Sequence, residues 1–90
     1  MDKNTIVNHF TIGPNEFTYN RPICMYEKNI SIPGLEETDS VSISCPGYGF
    51  AIYHVVNKNI LCLRIPVKPS CILRIKVIIN KNMSGGKSYV

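Results

Sequence analysis

Four cysteines (Cys24, Cys45, Cys62, Cys71) and two histidines (His9, His54) are the residues of this 90-residue chain best suited to metal or thiol chemistry. Their spacing argues against a structural zinc site. Such sites take ligands in close pairs, because a single turn then presents two thiolates. Here consecutive cysteines stand nine or more positions apart. Cys45 and Cys71 fall in apolar registers, where cysteine behaves as a small hydrophobe. The expected state is four free, buried thiols, with disulfides and metal as the alternatives. A Cys/His nucleophile pair requires hydrogen-bond reach and an orienting group, and no local motif supplies either. His54 sits on a bulky apolar register and reads as a packed or interfacial side chain.

The acids pose a second question. Glu36, Glu37 and Asp39 lie within four residues of one another in IPGLEETDSVSIS, residues 32–44. A general-acid pair is normally split in pKa by an apolar cleft. This stretch reads instead as an exposed, solvated connection, with divalent-cation binding the alternative. SGGKS, residues 84–88, ends like a phosphate-binding loop, but the pattern requires a glycine where Lys81 stands and a helix afterwards. It is rejected. No catalytic residue and no cofactor is assigned.

The elements that must position these residues follow a two-residue period. Val41, Ile43 and Cys45 share one face of SVSISC, and Leu61, Leu63 and Ile65 one face of ILCLRI. Cys71, Leu73, Ile75, Val77 and Ile79 share a face of CILRIKVIIN, with Arg74, Lys76 and Asn80 opposite. In YGFAIYHVV the bulky Tyr48, Phe50, Ile52 and Val56 are expected on one face, as core. Turn signals recur at Pro14-Asn15, Pro33-Gly34, Pro46-Gly47, Asn57-Lys58-Asn59 and Pro66 to Ser70. The pattern predicts an all-β fold, a small antiparallel β-sandwich of six to eight short strands. Residues 1–80 form the single domain, and 81–90 a flexible or partner-docked tail.

From Lys58 onward the chain carries seven Lys/Arg and no acid, against three bases and six acids before it. One end of the fold is therefore expected to be basic and the other mildly acidic. An OB-like single-stranded nucleic-acid binder would stack bases on Tyr48, Phe50 and Tyr53 between Arg64, Arg74 and Lys76. That is the rival reading; nucleic acid is otherwise not the expected partner. No apolar run approaches the roughly 18 residues of a membrane span. The polar N-terminus reads as lacking a signal peptide.

NISIPGLEETDSVSIS and NKNILCLRIPVKPSCILRIKVII carry a further signal. Together they resemble the small β-domain at the C-terminal ends of bacteriophage tail-fibre and minor structural proteins. Gly34, Thr38, Asp39 and Val41 match its corner, and Pro69, Ser70, Leu73, Ile75 and Val77 its last hairpin. The likeness spans residues 29 to 80. The aromatic-rich GYGFAIYHVV departs from it, as does the Met that opens a chain far shorter than a fibre. The resemblance implies a non-catalytic virion subunit made in the host cytoplasm: a head decoration protein, a fibre tip or a tail adaptor. It would assemble as a homo-oligomer, a trimer being favoured, with other virion proteins as partners. A host-surface glycan stays open. Ile72, Arg74, Lys76 and Ile78, facing outward on the last strand, are the candidate interface residues.

Overall fold

The computed structural model describes residues 4–81, and these form two antiparallel sheets packed face to face. Seven strands run in chain order: β1 (Thr5–Ile12), β2 (Thr18–Asn20), β3 (Met25–Ser31), β4 (Ser40–Ser44), β5 (Tyr53–Asn57), β6 (Ile60–Ile65) and β7 (Leu73–Asn80). The first sheet has the order β1-β7-β4 and the second β2-β3-β6-β5. The expected sandwich of six to eight strands is thus observed. The rest of the tail, 82–90, including SGGKS, lies outside the described residues.

Alternation builds the core. Leu73, Ile75, Val77 and Ile79 of β7 point inward and meet Leu61, Leu63 and Ile65 of β6 in one buried cluster. These two strands are central in their sheets, so neighbours on both sides shield their inward side chains from water. At roughly 1.5–3 kcal/mol for each fully buried aliphatic side chain, these seven supply much of the hydrophobic stabilisation. Ile12, Phe17, Ile30, Ile32 and Leu35 complete the buried set. Val41 and Ile43 are only half-buried, because β4 is an edge strand.

Two other expectations change. YGFAIYHVV is not one strand: β5 begins at Tyr53, and residues 45–52 form a connection. Pro46-Gly47 turns the chain with Gly47 at φ +91°, and Gly49 follows two residues later. Phe50, expected in the core, is exposed, whereas Tyr48, Ile52 and Val56 do pack against the core. The β5–β6 hairpin places Asn57 opposite Ile60, so two residues make the turn. The left-handed one is Lys58, at φ 57°.

The two halves of the chain also interleave. Basic β7 lies between β1 and β4, and Arg64 of β6 meets Glu27 of β3. Two bases of the second half, Arg64 and Lys81, thus meet acids of the first, Glu27 and Asp39.

Candidate functional site

The acidic corner is built differently from a solvated loop. Gly34, at φ +87°, lets the chain reverse where a side chain would be strained. Leu35 turns inward and is buried. Asp39 then folds back: its own N–H donates to the Glu36 carbonyl at 3.0 Å, and its Oδ2 accepts the Glu36 N–H at 2.9 Å. The Asp39 side chain is 0% exposed and also accepts from Lys81 Nζ at 2.6 Å. The Lys81 ammonium donates to the Gly34 carbonyl as well and lies 3.9 Å from Glu36. Glu37 accepts the Lys58 N–H at 2.9 Å, and the Asn59 carbonyl accepts the Ile32 N–H at 2.8 Å. Lys81 N–H donates to the Asn4 carbonyl at 2.9 Å.

This corrects the reading of the corner as wholly exposed. Glu36 and Glu37 are exposed, but Asp39 is a buried acceptor paired with a lysine. The corner joins the start of β1, the β5–β6 turn and the end of β7. Lys81, expected in the tail, is its cation. Proximity in sequence hid this pairing, since Lys81 is 42 residues from Asp39.

The cysteines are free but not all buried. Cys24 and Cys71 are exposed, and Cys45 and Cys62 half-buried. Burial pushes the Cys45 and Cys62 thiols up, and the neighbouring Glu27 carboxylate adds to the rise at Cys62. Both are therefore protonated, weak nucleophiles at neutral pH. Cys71 is exposed because β7 begins two residues later. Among the described residues no three His, Cys, Asp or Glu side chains converge on a metal-sized site. His54, expected to be packed or interfacial, is exposed on the edge strand β5.

The aromatic and basic residues of the nucleic-acid reading are divided between the two sheets and a connection. Tyr48 and Phe50 lie in the β4–β5 connection, with ring centroids 5.6 Å apart. Tyr53 pairs with Arg64 on the second sheet, while Arg74 and Lys76 belong to the first.

Arg74 and Lys76 are exposed on the outer face of β7, and Ile78 on the same face is half-buried. Register sets Arg74 beside Thr11, Lys76 between His9 and Ser44, and Ile78 between Val7 and Ser42. Ile72 precedes the strand rather than lying on it, and is 59% exposed. It ends the β6–β7 connection. At this end of the sandwich the β4–β5 and β6–β7 connections enclose a cleft of about 320 Å³ lined by Tyr48, Phe50, Val67, Pro69, Cys71 and Leu73. Tyr48 Oη donates to the Val67 carbonyl at 2.8 Å and clamps the two connections together. Phe50 and Val67 remain 55% and 42% exposed. Sequence reading missed this pair because extending β5 backward placed Phe50 in the core. The Gly47 and Gly49 flanking Tyr48 were the available sign of a loop.

Comparison with protein-family models, with curated proteins and with solved structures finds no match for the chain.

Proposed function

We propose that this chain is a non-catalytic structural subunit that acts by protein–protein assembly, of the kind the resemblance to phage tail-fibre and minor structural proteins implies. The observation that carries the reading is the loop end of the sandwich. Phe50 and Val67 are large apolar side chains left open to solvent on one cleft between two adjoining connections, and the exposed Ile72 ends the second of them. The Tyr48–Val67 bond holds those connections in fixed relation. Rigid, clustered apolar exposure is what a protein contact covers on binding. Arg74 and Lys76 on the neighbouring outer face, without an ion-pair partner among the described residues, add charge that favours an acidic counterpart.

The test is mass in solution by light scattering, across the micromolar range, for the natural chain and for Phe50→Ser/Ile72→Ser. The natural chain should exceed its 10.1 kDa monomer mass. The double variant, altered only at exposed positions, should fold but lose mass. An unchanged mass in the variant removes the loop end from the interface. Salt-sensitive, sub-micromolar binding of a single-stranded oligonucleotide would replace this reading with the nucleic-acid one.

A further inference from the structure

We propose that β4 is a self-pairing edge, through which two copies of this chain join across a two-fold axis at Ser42 into one continuous six-stranded sheet. The proposal deepens the assembly reading and rests on it.

The sandwich has four edge strands: β1 and β4 in the first sheet, β2 and β5 in the second. An edge presents unpaired N–H and C=O groups, and proteins usually guard it with charge, proline or a bulge. β2 is three residues long and runs into Arg21-Pro22. β4 reads Ser-Val-Ser-Ile-Ser, with no charge and no proline. Its inward Val41 and Ile43 are half-buried, although Ile79 and Val77, their partners on β7, are fully buried. Apolar surface on the inner layer thus ends abruptly at this edge.

The strand's pattern selects the occupant. An isologous contact requires a surface complementary to itself. Antiparallel pairing of β4 with its copy about Ser42 sets Ser40 opposite Ser44, Val41 opposite Ile43 and Ser42 opposite Ser42. Every pair matches on both faces of the sheet. The other edges do not read the same in both directions. Two-fold pairing within β1 places the inward Asn8 against an apolar side chain or its own copy. Pairing of β5 about Val55 sets His54 against Val56 and Tyr53 against Asn57.

Charge permits the contact. Lys76 shares its row with Ser44, and Asn80 shares its row with Ser40. Across the axis Lys76 therefore falls on the row of the partner's Asn80. Three strand spacings sideways and four residues lengthwise separate the two Lys76 positions by roughly 20 Å. That is beyond the roughly 8 Å screening length at physiological salt. The resulting unit is a dimer, not the trimer that the resemblance implied.

Ser42 is exposed and outward, so a charge there leaves the monomer fold intact, but the axis brings it to within about 5 Å of its own copy. The experiment measures mass and dissociation constant by light scattering and sedimentation for the natural chain, Ser42→Asp, Ser42→Lys and an equimolar mixture of the two variants. Circular dichroism checks folding. Each variant alone should self-associate roughly tenfold more weakly, and the mixture should recover as a heterodimer. The edge proposal is overturned if Ser42→Asp associates as the natural chain does, or if the mixture stays monomeric. Association lost in Phe50→Ser/Ile72→Ser but kept in Ser42→Asp leaves assembly standing and removes the edge. A natural chain that stays monomeric throughout removes both.

Discussion

The Asp39–Lys81 contact sets a measurable stability. Replacing Asp39 with Ala removes a charge-assisted bond to Lys81 at 2.6 Å, a type that contributes about 1.5–3 kcal/mol. It also takes from the Glu36 N–H its acceptor at 2.9 Å, costing about another 1 kcal/mol. Lys81 is 20% exposed, so its ammonium turns partly to water and recovers some of that loss. The expected cost of Asp39→Ala is about 3 kcal/mol, against a total stability of roughly 5–10 kcal/mol for a domain of this size. Asp39→Asn keeps an oxygen for the Glu36 N–H and should cost about half as much. Lys81→Met strands a carboxylate that is fully inaccessible and should cost about 2 kcal/mol, less than the roughly 3–5 kcal/mol of a fully buried pair because the lysine itself is partly exposed. Urea titrations followed by circular dichroism give the midpoints. The double variant decides the matter: the two single costs should exceed the double cost by about 1–2 kcal/mol. Additivity within about 0.5 kcal/mol would refute a coupled pair and return the corner to an ordinary surface loop.

Glu16 carries a pH signature. The Gly13 N–H, bonded to it at 2.8 Å, and then Lys28 hold its carboxyl below the usual carboxylate value. A depressed folded pKa means stability present above the unfolded pKa and lost as acid protonates the folded group, so Glu16→Gln should flatten the acid limb of a stability–pH curve below about pH 4.5. A limb of unchanged slope would reject the assignment. Lys58→Asn should raise stability by about 0.5 kcal/mol, since asparagine tolerates the left-handed backbone at φ 57° better than lysine; a lower urea midpoint would contradict it. Val41→Asp should cost about 2 kcal/mol, less than at a central strand, because this edge position is already half wet; no loss at all would mean the β4 register is wrong.

Period-two alternation made the sandwich legible, because β6 and β7 are central strands whose two faces see opposite environments. LCLRI and LRIKVII therefore record burial directly in residue type. The same logic failed at YGFAIYHVV. An exposed aromatic in a rigid loop carries the same letters as a buried one in a strand, and only the glycines distinguish them. Edge strands blurred the pattern in the opposite sense: Val41, Ile43 and His54 sit in proper registers, yet lie at sheet margins with a neighbouring strand on one side only. The corner was half legible. Gly34 and the start of β4 after Asp39 follow from turn chemistry, but the burial of Asp39 depends on Lys81, and no local pattern reports a partner 42 positions away. The candidate residues Arg74, Lys76 and Ile78 share an outer face, whereas Ile72 belongs to the loop end, because β7 begins one residue after it.

The corner and the β4 edge are mechanically one device, and amide exchange can show it. Asp39 is the residue immediately before β4, so the bonds that fix Asp39 also fix where the strand begins. β4 has a neighbour on one side only, β7, and just five residues with which to hold it. An edge this short opens at a free energy below that of global unfolding. Loosening its anchor should therefore lower the opening energy of β4 more than that of the interior. In Asp39→Asn, a local loss of about 1.4 kcal/mol corresponds to tenfold faster exchange for the bonded amides of residues 40–44. The amides of β6, central in the other sheet, should change only as far as global stability does. The measurement is native-state hydrogen exchange by NMR at a urea concentration where both sets are resolved. Equal acceleration in β4 and β6 would mean that the molecule opens as one unit, and that Asp39 contributes to stability without governing the edge. Selective acceleration in β4 makes the corner the element that holds the edge in a conformation able to accept a neighbouring strand.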